Sequence, residues 1–90
     1  MKMADVELDL RGLRCPLPAL KTEKRLASLE PGRRLQVRSD DPLATIDIPH
    51  ACQMGGHRLL ESSAESGGHR FLIERGASPA AEDDPGQPKL

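Results

Sequence analysis

The 90-residue chain contains no tryptophan, no tyrosine and one phenylalanine, Phe71. Proteins that hold single-stranded nucleic acid stack bases on aromatic rings, so this chain cannot build such a platform. Cysteine is scarce as well, with Cys15 and Cys52 the two present. They form no C-x-x-C pair and cannot supply a four-cysteine zinc cluster. No apolar run approaches the roughly 18 residues that a membrane-spanning helix needs. The opening Met1-Lys2-Met3-Ala4-Asp5 lacks the apolar stretch of a signal peptide. The expected setting is therefore the reducing cytoplasm, with both cysteines as thiols and no membrane partner.

What is present is enough for one small domain. Area scaling leaves about 5,200 Å² exposed of the roughly 14,200 Å² of the unfolded chain, which allows one modest core and no deep cleft. Hydrophobic residues make up 37% and charged residues 30%, a soluble globular composition. The formal charge of −1 conceals an uneven distribution. Residues 77–90 hold Glu82, Asp83 and Asp84 against Lys89, together with Pro79, Pro85, Gly86 and Pro88. This reads as a disordered acidic tail, leaving residues 1–76 as the domain. Between Arg11 and Arg25, five basic residues face one acid, Glu23, and Cys15 lies inside that stretch.

Periodicity places six elements. Val6–Leu10 alternates apolar and acidic residues and reads as a half-buried strand. Pro16–Leu29 reads as a helix with two prolines in its first turn, where no intrahelical donor is required. Ala19, Thr22, Leu26 and Leu29 share its apolar face. Leu35–Ser39 is a second strand. In Asp40-Asp41-Pro42, the aspartates read as caps and the proline as the start of a turn. A helix is predicted to begin near Asp47, with Asp47 as a further cap and Pro49 in its first turn, and to stop at Gly55-Gly56. Arg58–Ser63 and His69–Arg75 form a closing hairpin. The predicted fold is a two-layer α/β sandwich of order β-α-β-α-β-β, with a mixed four-stranded sheet and both helices on one face.

The segment Gly12-Leu13-Arg14-Cys15-Pro16-Leu17-Pro18 carries the chemistry. Cys15 falls at or beside the helix N-cap, where free N–H groups and the positive end of the helix dipole point at it. With Arg14 adjacent and Arg11, Lys21 and Lys24 nearby, the thiolate is expected to be favoured over the thiol. Hydrolytic catalysis needs a histidine base and an orienting group. His50, His57 and His69 lie far downstream, in no protease arrangement. A lone activated thiolate suits the acceptance and passing on of a group such as a sulfur atom. Cys52, on the apolar side of the second helix, reads as packing, with a resolving thiol as the alternative. His50, Cys52 and His57 match no metal-binding spacing.

The stretch Leu8-Asp9-Leu10-Arg11-Gly12-Leu13-Arg14-Cys15-Pro16-Leu17-Pro18 resembles the signature of the TusA (SirA-like) sulfur-carrier family. Asp40-Asp41-Pro42, then Asp47-Ile48-Pro49 followed by Cys52, and the hairpin continue the resemblance over residues 6 to 76. It implies the same sandwich and a sulfurtransferase role. In that role Cys15 takes persulfide sulfur from a cysteine desulfurase or rhodanese-type donor and relays it to a downstream acceptor protein. Gly12, Arg14, Pro16 and Pro18 would support it. No cofactor and no metal are implied. In different members the route serves tRNA thiolation, molybdenum-cofactor assembly or sulfur oxidation. The tRNA-thiolation members carry Glu between the two prolines, where this chain has Leu17.

Two other function classes fit the composition. One is a non-enzymatic module that binds a protein or RNA, although few aromatics and a near-neutral domain weigh against direct nucleic-acid binding. The other is a thiol redox protein using Cys15 and Cys52. Salt-dependent RNA binding that survives Cys15→Ser would mark the first, and an internal Cys15–Cys52 bond after mild oxidation would mark the second.

Overall fold

In a computed structural model of the chain, residues 4–76 are described. Strict alternation organises the sheet. In β2 (Arg34–Ser39), Leu35, Val37 and Ser39 are buried while Arg34, Gln36 and Arg38 are half-exposed. A strand presents alternate residues to opposite faces, so the buried three share one face. β1 (Val6–Asp9) lies parallel to β2, with Val6 opposite Leu35 and Leu8 opposite Val37. β4 (Gly68–Glu74) lies antiparallel on the other side of β2, with Phe71 opposite Val37 and Ile73 opposite Leu35. β3 (Arg58–Glu65) completes the sheet, giving the order β1-β2-β4-β3. Its pairing with β4 shifts register between Leu59 and Glu61.

Two helices, α1 (Leu17–Ala27) and α2 (Ala44–Gly55), cover one face. Leu26 of α1 and Ile48 and Cys52 of α2 join Leu35, Val37, Phe71 and Ile73 in a single core. Thr22 is buried on the inner side of α1, and its hydroxyl donates to the carbonyl of Pro18 at 2.7 Å, so no polar group is left unpaired there. The architecture is the predicted mixed-sheet α/β sandwich, and the chain order is the predicted β-α-β-α-β-β.

Two local readings change. α2 starts at Ala44, three residues before the predicted start near Asp47, and Pro49 lies inside it. The turn at Asp41-Pro42-Leu43 runs straight into the helix, through bonds from Ala44 N to Asp41 O (2.9 Å) and Asp47 N to Leu43 O (2.9 Å). Pro49 has no N–H to offer the carbonyl four residues earlier. That residue, Thr45, is exposed, so water is at hand for the unfilled acceptor. The helix ends as predicted, at Gly56 with φ +76°, a left-handed conformation that favours glycine. The acidic tail predicted for 77–90 lies outside the described residues.

Candidate functional site

Because β1 and β2 are parallel and each is followed by a helix, the turns leaving them lie at the same edge of the sheet. The first turn carries Arg11, Gly12, Arg14 and Cys15. The second carries Asp40 and Asp41. The two are laced together by the aspartates. Asp40 Oδ1 accepts from the Gly12 N–H at 2.9 Å and from the Arg14 guanidinium at 2.8 Å. Gly12 adopts φ +94°, a left-handed turn that a side chain would strain. Asp41 Oδ2 accepts from the Cys15 N–H at 2.6 Å, and its Oδ1 accepts from the Leu43 N–H at 3.1 Å. Asp41 thus caps its own turn, as predicted. Asp40, predicted to cap as well, instead anchors the loop ahead of α1.

Pro16 is the N-cap of α1, so Cys15 sits one residue before it, as expected. The Cys15–Pro16 peptide bond is cis, and Pro18 is buried in the first turn. Cys15 is exposed. Its Sγ donates to Asp47 Oδ2 at 3.0 Å. Asp47, predicted as a cap, occupies the first turn of α2 and faces the thiol instead.

That contact reverses the electrostatic expectation. The hydrogen bond to Asp47 pushes the Cys15 pKa up, and partial desolvation and the charges of Asp47 and Asp41 act in the same direction. The basic residues counted in the sequence act elsewhere. Arg14 is paired with Asp40, and Arg11 with Asp9 at 2.7 Å. Lys21, Lys24 and Arg25 line a separate open groove with Leu8 and Ser28. Sequence counts charge along the chain, whereas the thiol responds to the charge nearest in space.

Cys52 contrasts with Cys15. It is buried in the core, and burial first, then the charge of Glu23, pushes its thiol up to about 11. His57 Nδ1 accepts from the Gly76 N–H at 2.9 Å, and burial lowers its pKa. His50 is exposed. Among the described residues no group of three or more His, Cys, Asp or Glu is arranged to hold a metal. No helix among them is long and apolar enough to cross a membrane.

Sequence reasoning missed the Cys15–Asp47 contact and the role of Gly68. A Cβ on Gly68 would collide with the carbonyl oxygen of Ser39, so glycine lets the hairpin reach the Asp40-Asp41 turn. The usable signal for Asp47 was topological. Two consecutive β-α units with parallel strands bring their helix starts together.

The model of the sulfurtransferase TusA family matches residues 6–75. The chain belongs to the TusA family. The crystal structure of a SirA-like protein from Desulfitobacterium hafniense is similar, with a TM-score of 0.70 and 25% sequence identity. The similarity covers 79% of this chain and 97% of that one. Membership of the TusA family supports a sulfur-carrier role in general. Around the site, this member exposes apolar side chains at the starts of both helices: Leu17 on α1, Leu43 at the N-cap of α2 and Ile46 in its first turn.

Proposed function

We propose that the protein is a sulfur carrier in which Cys15 accepts persulfide sulfur and passes it to an acceptor protein. The observation that carries this reading is the inequality of the two cysteines. Cys15 is exposed on a turn bounded by Pro16 and Pro18, whereas Cys52 is packed in the core. A group-transfer thiol has to enter a partner's active site, and only Cys15 has that access. The donor is a cysteine desulfurase or a rhodanese-type enzyme, both of which hold sulfur as a cysteine persulfide. The supporting residues act on the turn: Gly12 and Arg14 tie it to Asp40, and Pro16 and Pro18 limit its backbone freedom. No resident metal or cofactor takes part. We assign the protein to the cytoplasm, where a free thiol persists.

A thiol-redox role would require Cys52 to reach Cys15, and burial of Cys52 opposes that. Leu17, exposed where tRNA-thiolation relatives carry Glu, gives a docking partner an apolar contact in place of a charge. The test is incubation with a cysteine desulfurase and sulfur-labelled cysteine. Label should stay with the protein through gel filtration and leave on thiol reduction. It should be absent from Cys15→Ser and present in Cys52→Ser. Label retained by Cys15→Ser would overturn the reading.

A further inference from the structure

We infer that Asp47 sets the sulfur-exchange equilibrium of Cys15, favouring the empty thiol over the loaded persulfide and so making the carried sulfur easier to give than to take. This rests on the reading of Cys15 as the carrier. In the empty protein, Cys15 Sγ donates its hydrogen to Asp47 Oδ2 at 3.0 Å. Loading replaces that hydrogen with sulfur.

The exchange is balanced without an outside oxidant. Cys15–SH and donor–S–S⁻ give Cys15–S–S⁻ and donor–SH. One S–S bond breaks in the donor and one forms at Cys15 Sγ. The Cys15 proton ends on the donor's thiol, and the number of electrons is unchanged. A thiol bears the exchange as its thiolate, so the proton must leave Sγ as the new bond forms.

Two consequences follow at Asp47. The loaded Sγ has no hydrogen, so the bond to Asp47 is lost. A persulfide is also more acidic than a thiol, so a neutral group beside a carboxylate becomes an anion beside it. The other charges around Cys15 do not cancel this. Asp41, whose oxygens accept from the Cys15 and Leu43 N–H groups, adds a second negative charge. The Arg14 guanidinium is bonded to Asp40 and to the Leu13 carbonyl. The N-terminal end of α1 favours the anion, but it does so with or without Asp47. The raised thiol pKa caused by Asp47 points the same way. Asp47 is half-buried in the first turn of α2, which keeps its carboxylate at the thiol.

The experiment equilibrates the full-length protein with glutathione persulfide and glutathione at neutral pH without oxygen. Intact mass then gives the loaded fraction, in a Cys52→Ser background so that Cys15 is the one thiol present. Asp47→Asn keeps the shape and removes the charge. It should move the exchange constant toward the loaded form by about tenfold, the size expected for a hydrogen bond to a charged group. Asp47→Ser should move it in the same direction and guards against a folding defect peculiar to one variant. As a second readout, both variants should shift the pH profile of Cys15 alkylation by iodoacetamide to lower pH. Exchange constants equal to the parent's in both variants would overturn the inference and leave the carrier reading standing. Failure of the parent and both variants to take up sulfur would overturn both.

Discussion

The carboxylate of Asp41 joins the two halves of the site: Oδ2 accepts from the Cys15 N–H at 2.6 Å, and Oδ1 accepts from the Leu43 N–H at 3.1 Å. Cys15 and Leu43 precede different helices, so one buried side chain fixes where both begin relative to each other. The thiol is held in place through its own backbone, and the contact between Cys15 Sγ and Asp47 follows from that placement.

Asp41→Ala should therefore destabilise the fold and disturb the site together. A buried N–H left without its acceptor costs about 1–3 kcal/mol, and two are lost here, each part-buried so that water recovers some of that cost. For a domain of this size, each kcal/mol lowers Tm by roughly 4–8 °C. Thermal unfolding followed by circular dichroism checks the first part. The rate of Cys15 alkylation in the still-folded protein checks the second, and it should differ from wild type.

The origin of the thiol's acidity separates two neighbours. Arg14 adjoins Cys15 in sequence but is bonded to Asp40, whereas Asp47 is distant in sequence and bonded to Sγ. Arg14→Ala should leave the pH profile of Cys15 alkylation nearly unchanged. In wild-type protein the midpoint should lie above that of free cysteine, because the folded state holds the proton more tightly. The measurement is the alkylation rate across an alkaline pH series. An upward shift in Arg14→Ala as large as the downward shift expected for Asp47→Asn would contradict the assignment, since it would mean that Arg14 stabilises the thiolate.

Cys52 should make the fold sensitive to alkali. Its thiol rises from 9.0 in the unfolded chain to about 11 in the fold, chiefly through burial. Between those values the native state binds a proton that the unfolded chain has released, so stability falls as pH rises through the window. Two pKa units correspond to about 2–3 kcal/mol. Urea unfolding from pH 8 upward should show this decline. Cys52→Ala should start less stable and lose the part of the slope that belongs to this thiol.

Gly68→Ala tests how the hairpin supports the site. The added Cβ has to displace Ser39 O or move the start of β4 away from it. Overpacking of this kind costs about 1–3 kcal/mol. Because Ser39 leads directly into Asp40 and Asp41, the alkylation profile of Cys15 should change too. A lower Tm with an unaltered profile would show that the hairpin supports the fold alone.

The sheet was legible in the sequence because its signals are local. The alternation in Val6–Leu10 and Leu35–Ser39 and the Gly67-Gly68 pair where β3 turns into β4 each lie within a few residues. The start of α2 was not legible. Pro49 argues against a helix through it, and only the exposed position of Thr45 in the folded molecule makes the missing bond tolerable. The same holds at the site. Cys15 stood out through its flanking prolines and its place between a strand and a helix. Its chemical surroundings did not, since Arg14 is turned to Asp40 while Asp47, a full β-α unit away, supplies the nearest charge.

Intact mass after incubation with a cysteine desulfurase and cysteine shows whether sulfur is carried at Cys15. Wild type and Cys52→Ser should each gain one sulfur atom that a reducing thiol removes, and Cys15→Ser should gain none. A sulfur gain in Cys15→Ser, or its loss in Cys52→Ser, would mean that Cys15 is not the carrier thiol.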